Sequence, residues 1–116
     1  MKDKRLALRD TQRVYDTLLT FQRKKKPSGP FDPPDEYEDV LSLWAESRYL
    51  RGRNFYAARS ANIKTDVEFI IRWNNEIDEN MRLLVNGRTF NIEGILPLDN
   101  DRLFMSIKAY EIKHDV

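Results

Sequence analysis

Apolar and polar positions along the chain change period several times, and each change marks an element. Over residues 1–17 the chain is polar with scattered apolar positions, and Leu6, Leu8, Val14 and Tyr15 form neither a helical stripe nor an alternation. Residues 1–17 therefore read as an extension ahead of the fold. Leu18-Leu19-Thr20-Phe21-Gln22 is a short apolar and β-branched run, a first strand, closed by Arg23-Lys24-Lys25-Lys26 and Pro27-Ser28-Gly29-Pro30. Four prolines and one glycine between Pro27 and Asp35 remove ladder donors and favour turns, which predicts a long loop over 23–36. Loops of that length in compact domains commonly carry function.

From Glu36 to Leu50 the apolar residues Val40, Leu41, Leu43, Trp44 and Ala45 predict a second strand, bent or buried on both faces, with Trp44 as its core anchor. Arg53 to Ile63 lacks Gly and Pro, which suits a short helix with its apolar stripe through Phe55, Ala58 and Asn62, entered by a turn at Gly52. Then the period becomes two. Val67, Phe69, Ile71 and Trp73 alternate with Glu68, Ile70 and Arg72, a half-buried strand that Asn74-Asn75 closes. Met81 to Val85 and Arg88 to Ile92 meet across Asn86-Gly87, the preferred type I′ hairpin, because both central positions need positive φ. A last strand, Leu103 to Tyr110, follows the turn Asp99-Asn100-Asp101, and 113–116 is a polar tail.

About six short antiparallel strands and one covering helix predict a mainly β fold, a small antiparallel β-barrel, since closure removes the exposed edges. The aromatic residues Trp44, Phe69, Trp73, Phe90 and Phe104 are assigned to its interior. The length of 116 residues suits one domain. The chain has 34% charged and 41% hydrophobic residues, which describes a thin core under a surface that is solvated or covered by partners.

Composition then narrows the chemistry. With 20 Lys and Arg against 19 Asp and Glu, the net charge of +1 provides no global field for nucleic acid, so any DNA contact is local. The absence of cysteine excludes disulfides, thiolate zinc sites and cysteine nucleophiles. Leu6-Ala7-Leu8 is too short for a signal peptide, and no apolar run approaches the roughly 20 residues of a membrane span, so a soluble protein is expected. His114 is the only histidine and sits in the polar tail. The acidic pairs Asp35-Glu36, Glu38-Asp39, Asp78-Glu79 and Asp99/Asp101 lie at turns and strand rims and lack a calcium-loop pattern. Glycines 29, 52, 87 and 94 never cluster into a phosphate cradle. No catalytic set, metal or cofactor is expected. Two basic zones remain: Arg23, Lys24, Lys25 and Lys26 beside the long loop, and Arg48, Arg51, Arg53 and Arg59 near Tyr49, Phe55 and Tyr56. The first reads as a phosphate contact or a solvated hairpin tip, the second as a protein interface or a nucleic-acid surface.

The order of segments carries a resemblance. Leu18 to Arg23, Val40-Leu41-Ser42-Leu43-Trp44-Ala45-Glu46, Leu50-Arg51-Gly52-Arg53-Asn54-Phe55-Tyr56-Ala57-Ala58 and Val67 to Trp73 are followed by Ile77 to Leu83, Val85-Asn86-Gly87-Arg88-Thr89-Phe90-Asn91-Ile92 and Leu98 to Arg102. This series resembles the phage head-tail joining family, also called head-tail adaptors or head-closure proteins, over about residues 18–112. The resemblance implies a non-enzymatic β-barrel subunit of the virion, assembled in the bacterial host cytoplasm. It would form a homo-oligomeric ring of about twelve copies that joins the portal or adaptor to the tail and retains packaged DNA. The chain departs from the family in its longer extension, 1–17, and its proline-rich loop. With that resemblance, the two basic zones become candidates for the DNA lumen or a ring interface. The competing expectation is an oligonucleotide-binding barrel that stacks single strands on Trp73, Phe69 and Tyr56.

Overall fold

The structure, a computed structural model, describes residues 14–26, 29–30, 36–100 and 102–112. Most of the extension, most of the proline-rich stretch 27–35 within the loop expected over 23–36, and the tail 113–116 with His114 lie outside the described residues. Among the described residues there are six strands and one helix: β1 (Thr17–Lys24), β2 (Tyr37–Tyr49), α1 (Gly52–Ser60), β3 (Val67–Arg72), β4 (Arg82–Val85), β5 (Arg88–Pro97) and β6 (Phe104–Glu111). All pairs are antiparallel and the sheet closes in the order β1-β2-β3-β6-β5-β4, the small barrel expected from the alternations. Closure rests on three pairs, Thr20 with Leu84, Phe21 with Leu83 and Gln22 with Arg82.

The interior follows from register. Leu19 and Phe21 of β1 face Leu43 and Leu41 of β2 and join Phe69, Ile71, Leu83, Val85, Phe90 and Ile107 in one core. Phe69 and Phe90 meet edge to face with ring centroids 5.7 Å apart, where the positive edge of one ring meets the negative face of the other. The Asn86-Gly87 hairpin is as predicted, with φ of 51° and 78°. β5 runs to Pro97, five residues beyond the expected end, because a register shift between Ile92 and Gly94 re-aims the strand. Glu93 stands at that shift and accepts hydrogen bonds from the Thr65 hydroxyl (2.5 Å) and the Lys64 amide (3.3 Å).

Five expectations are corrected. Trp44 is not the core anchor: it pairs with Leu18 on the outer wall and is 58% exposed, because the inward parity of β2 belongs to Leu41, Leu43 and Ala45. Trp73 follows β3 rather than lying on it and is half-buried against the edge of the core, while Phe104 is buried on the outer wall beside Ile70 and Ser106. The helix covers nothing. None of its nine residues is buried, and none of its Cα atoms comes within 8 Å of a strand Cα. Asn62 is not part of an apolar stripe but the left-handed residue (φ 62°) that ends α1. Its amide donates to the Arg59 carbonyl and the Ile63 amide to the Ala58 carbonyl, a Schellman closure.

Candidate interaction surfaces

The two basic zones are separated by the whole of β2, whose 13 residues span about 40 Å. Arg23, Lys24, Lys25 and Lys26 stand exposed at the β1–β2 end, where Lys25 donates its amide to the Glu36 carbonyl at 2.8 Å. Acids face them across the hairpin. Arg23 pairs in register with Glu38 and Gln22 with Asp39, and Arg23 lies 3.9 Å from Asp78 with both side chains about half exposed, a contact of little energy. Among the described residues of this end those four cations stand with Glu36, Glu38, Asp39 and Asp78, a net of zero. This end is not a cationic patch.

The opposite end is more cationic. Between residues 48 and 66 the sequence has five cations, Arg48, Arg51, Arg53, Arg59 and Lys64, against one acid, Asp66, and Glu46, Glu68 and Glu93 approach them from β2, β3 and β5. Their environments differ. Arg48 sits in an ion-pair ladder on the outer wall with Glu46 (2.8 Å) and Glu68 (4.0 Å), and Lys108 reaches Glu68 from the other side (3.9 Å). Arg59 is a latch: its guanidinium donates to the carbonyls of Ile63 (2.8 Å) and Thr65 (3.2 Å) and to the Asp66 carboxylate, and lies 4.5 Å over the Phe55 ring. It holds α1 to its base and is not offered outward. Arg51 and Arg53 are exposed, with no ion pair among the described residues. On a helical wheel Phe55, Ala58 and Arg59 share the base side, and all three are half-buried, whereas Arg53, Tyr56 and Ser60 share the outward side. Tyr56 is 72% exposed and takes Phe55 edge to face at 5.7 Å. An unpacked helix with an aromatic tip and free guanidinium groups has the composition of a contact surface, since Tyr, Trp and Arg dominate binding hot spots.

A groove lies on the barrel wall away from α1. β2 pairs with β3 only at Glu46–Tyr49 and Val67–Ile70, so the segments beyond, Leu43-Trp44 and Ile71 to Asn74, splay apart. Tyr15 joins them in lining about 510 Å³ of mainly apolar space, with Arg72 as the charged residue among them. Nothing in the linear sequence signalled this groove, because it arises where pairing stops.

The stacking platform of the oligonucleotide-binding alternative is not assembled. Phe69 is fully buried, and Tyr56 and Trp73 lie beyond opposite ends of β3, about 20 Å of strand apart. Among the described residues no three metal-capable side chains cluster, and no helix is long and apolar enough to cross a membrane.

Comparison with known proteins agrees with the fold. Among solved structures the chain is similar to protein SF1141 from Shigella flexneri 2a, with 27% identity, 84% of this chain and 92% of that one covered, and a TM-score of 0.66. No curated protein matches. The family model of the phage head completion protein matches residues 12–112, from before β1 to beyond β6. That family is structural rather than enzymatic, which implies a place in the virion and contacts with other virion proteins. A match over so much of the barrel means that the chain belongs to the phage head completion protein family.

Proposed function

We propose that this protein is a subunit of a ring of about twelve copies at the head-tail interface of a tailed phage or prophage, where it joins the portal or adaptor to the tail and holds the packaged genome in. The observation that carries this reading is α1: a helix none of whose Cα atoms comes within 8 Å of a strand Cα, with the exposed Arg51 and Arg53 at its start and no acid in its first turn, in a protein of a head completion family. A closed barrel has no sheet edge to offer, so its contacts pass through what projects from it. Genome retention then follows from closing the channel sterically, because neither end of β2 offers the long cationic track that binding many phosphates requires.

Arg51 and Arg53 carry the contact with an acidic partner surface, and the hairpin end at Arg23 to Lys26 serves the neighbour on the opposite side. The test is complementation of a phage lacking the gene. The wild-type chain restores DNA-filled heads joined to tails. Reversal at Arg51 and Arg53 to Glu leaves heads and tails separate, while reversal at Lys24, Lys25 and Lys26 is far milder. Complete, infectious particles without the protein would remove the joining role, and the opposite ranking of the two variants would remove the assignment of the helix end.

A further inference from the structure

The chain carries both a projection and a recess that it does not join to each other. The projection is the outward face of α1, with Tyr56 at its tip and Arg53 beside it. The recess is the groove between β2 and β3, walled by Trp44, Trp73 and Ile71. α1 cannot reach its own groove. Its base is fixed by the Arg59 latch and by the Leu50 amide donating to the Asp66 carbonyl at 3.0 Å, and the groove opens toward the other end of β3.

We propose that Tyr56 of one copy inserts into the β2–β3 groove of the next copy, so that the ring is built by head-to-tail contacts between an α1 tip and a neighbour's groove. This rests on the ring reading above and names the partner of the helix end as a second copy of this chain. Three observations support it. First, a nine-residue helix with no fully buried residue is marginal in water and gains order by being covered. Second, the groove is apolar, of ligand-pocket size and flanked by aromatic residues, with Trp44 left 58% exposed. Third, the charges complement each other. The outward face of α1 bears Arg53 with Arg51 nearby and no acid in its first turn, while the residues flanking the groove lining, Asp16 beside Tyr15 and Glu76 two residues after Asn74, are exposed acids. Arg72 opposes part of this complement, so the approach is favourable only with Arg53 on the acidic side.

A tip and a recess on different parts of one surface make a heterologous contact, which closes into a ring when the rotation allows. One aromatic insertion is a small interface, so a single contact is weak. Each subunit in a ring is held from two sides and by the docking platform, and effective concentration supplies the rest. The same contact predicts a subunit that is monomeric in isolation and annular when assembled.

The natural chain has no cysteine, which allows a direct test. The doubly substituted chain Tyr56→Cys, Asn74→Cys is incorporated into particles, oxidised, and run without reductant. Head-to-tail insertion gives a ladder extending past trimers, and chains with either substitution alone give none. Adding Trp44→Ala, an exposed position that the fold tolerates, lowers the cross-linked fraction by about tenfold, the loss typical of a modest hot spot. Particles that contain the protein at the head-tail junction but give no ladder overturn the insertion and leave the ring reading standing. A product that stops at dimers overturns the head-to-tail geometry, and particles from which the protein is absent overturn both. To guard against a doubly substituted chain that does not incorporate, Tyr56→Cys and Asn74→Cys chains are mixed at high concentration. Cross-linking in the mixture but in neither chain alone is expected, and its absence in folded mixtures counts against insertion.

Discussion

Replacing Arg59 by Ala should melt α1 while leaving the barrel folded. In the structure the guanidinium makes two hydrogen bonds to carbonyls, one to the Asp66 carboxylate and a stacking contact on Phe55. Taken at about 1 kcal/mol for each neutral bond, about 2 for the charged one and about 0.5 for the ring contact, the gross sum is about 4.5 kcal/mol. The side chain is 37% exposed, so screening and the entropy of fixing a long side chain reduce that to about 2 kcal/mol. Asp66 is not orphaned by the change, since its other oxygen keeps the Glu111 amide at 3.1 Å. The loss falls on α1 because Arg59 ties its C-terminal turn to residues 63–66, whereas the Leu50 amide bonded to the Asp66 carbonyl fixes the approach to the helix and not its last turn. Native-state hydrogen exchange reads this directly. The amides of Ala61, Asn62 and Ile63, which donate to the carbonyls of residues 57 to 59, should lose protection by about 30-fold, the equivalent of about 2 kcal/mol. Amides of β3 and β6 should barely change. Arg59→Lys should fall between, keeping charge but not the fork that reaches three acceptors. Unchanged protection at 61 to 63 would show that Arg59 is not the latch, and an equal loss in β3 and β6 would show that the helix belongs to the cooperative core.

Three further outcomes follow from burial and backbone conformation. Phe90→Ala, at a ring 1% exposed and locked against Phe69, should cost about 3 to 5 kcal/mol, seen as a lower denaturation midpoint with little change in slope. Trp44→Ala should cost under about 1 kcal/mol, as surface substitutions do, and Trp44 should dominate the quenching of tryptophan fluorescence by a soluble quencher; a core-sized loss would contradict its outward position. Ser106 is 3% exposed and its hydroxyl has no hydrogen-bond partner among the described residues, so Ser106→Ala should be neutral or raise the thermal midpoint, and a clear destabilisation would mean that the hydroxyl is satisfied.

Strand positions and the barrel were legible in the sequence because their signals are local. Period-two alternation at Val67 to Ile71, Asn86-Gly87 with its positive φ, and the proline barrier after Lys26 each act within a few residues, and closure follows from the cost of leaving edges open. The order of segments also carried the family resemblance, which the family match over residues 12–112 bears out. Parity in β2 was not legible. Apolar residues occupy both parities there, Val40 and Trp44 on one and Leu41, Leu43 and Ala45 on the other, and only pairing with Leu19 and Phe21 of β1 turned the second set inward. The helix was visible as a helix, but whether it covered the barrel depended on tertiary contacts that it does not make. Charge counting could not separate Arg59, held by three acceptors, from Arg51 and Arg53, which are left outward, because that distinction lies in side-chain reach and the Schellman turn. The groove depended on where β2 and β3 stop pairing. The sequence by itself thus determined the elements and their closure, through short-range backbone preferences. The tertiary structure alone decided which side chains face out, because register is set between strands far apart along the chain.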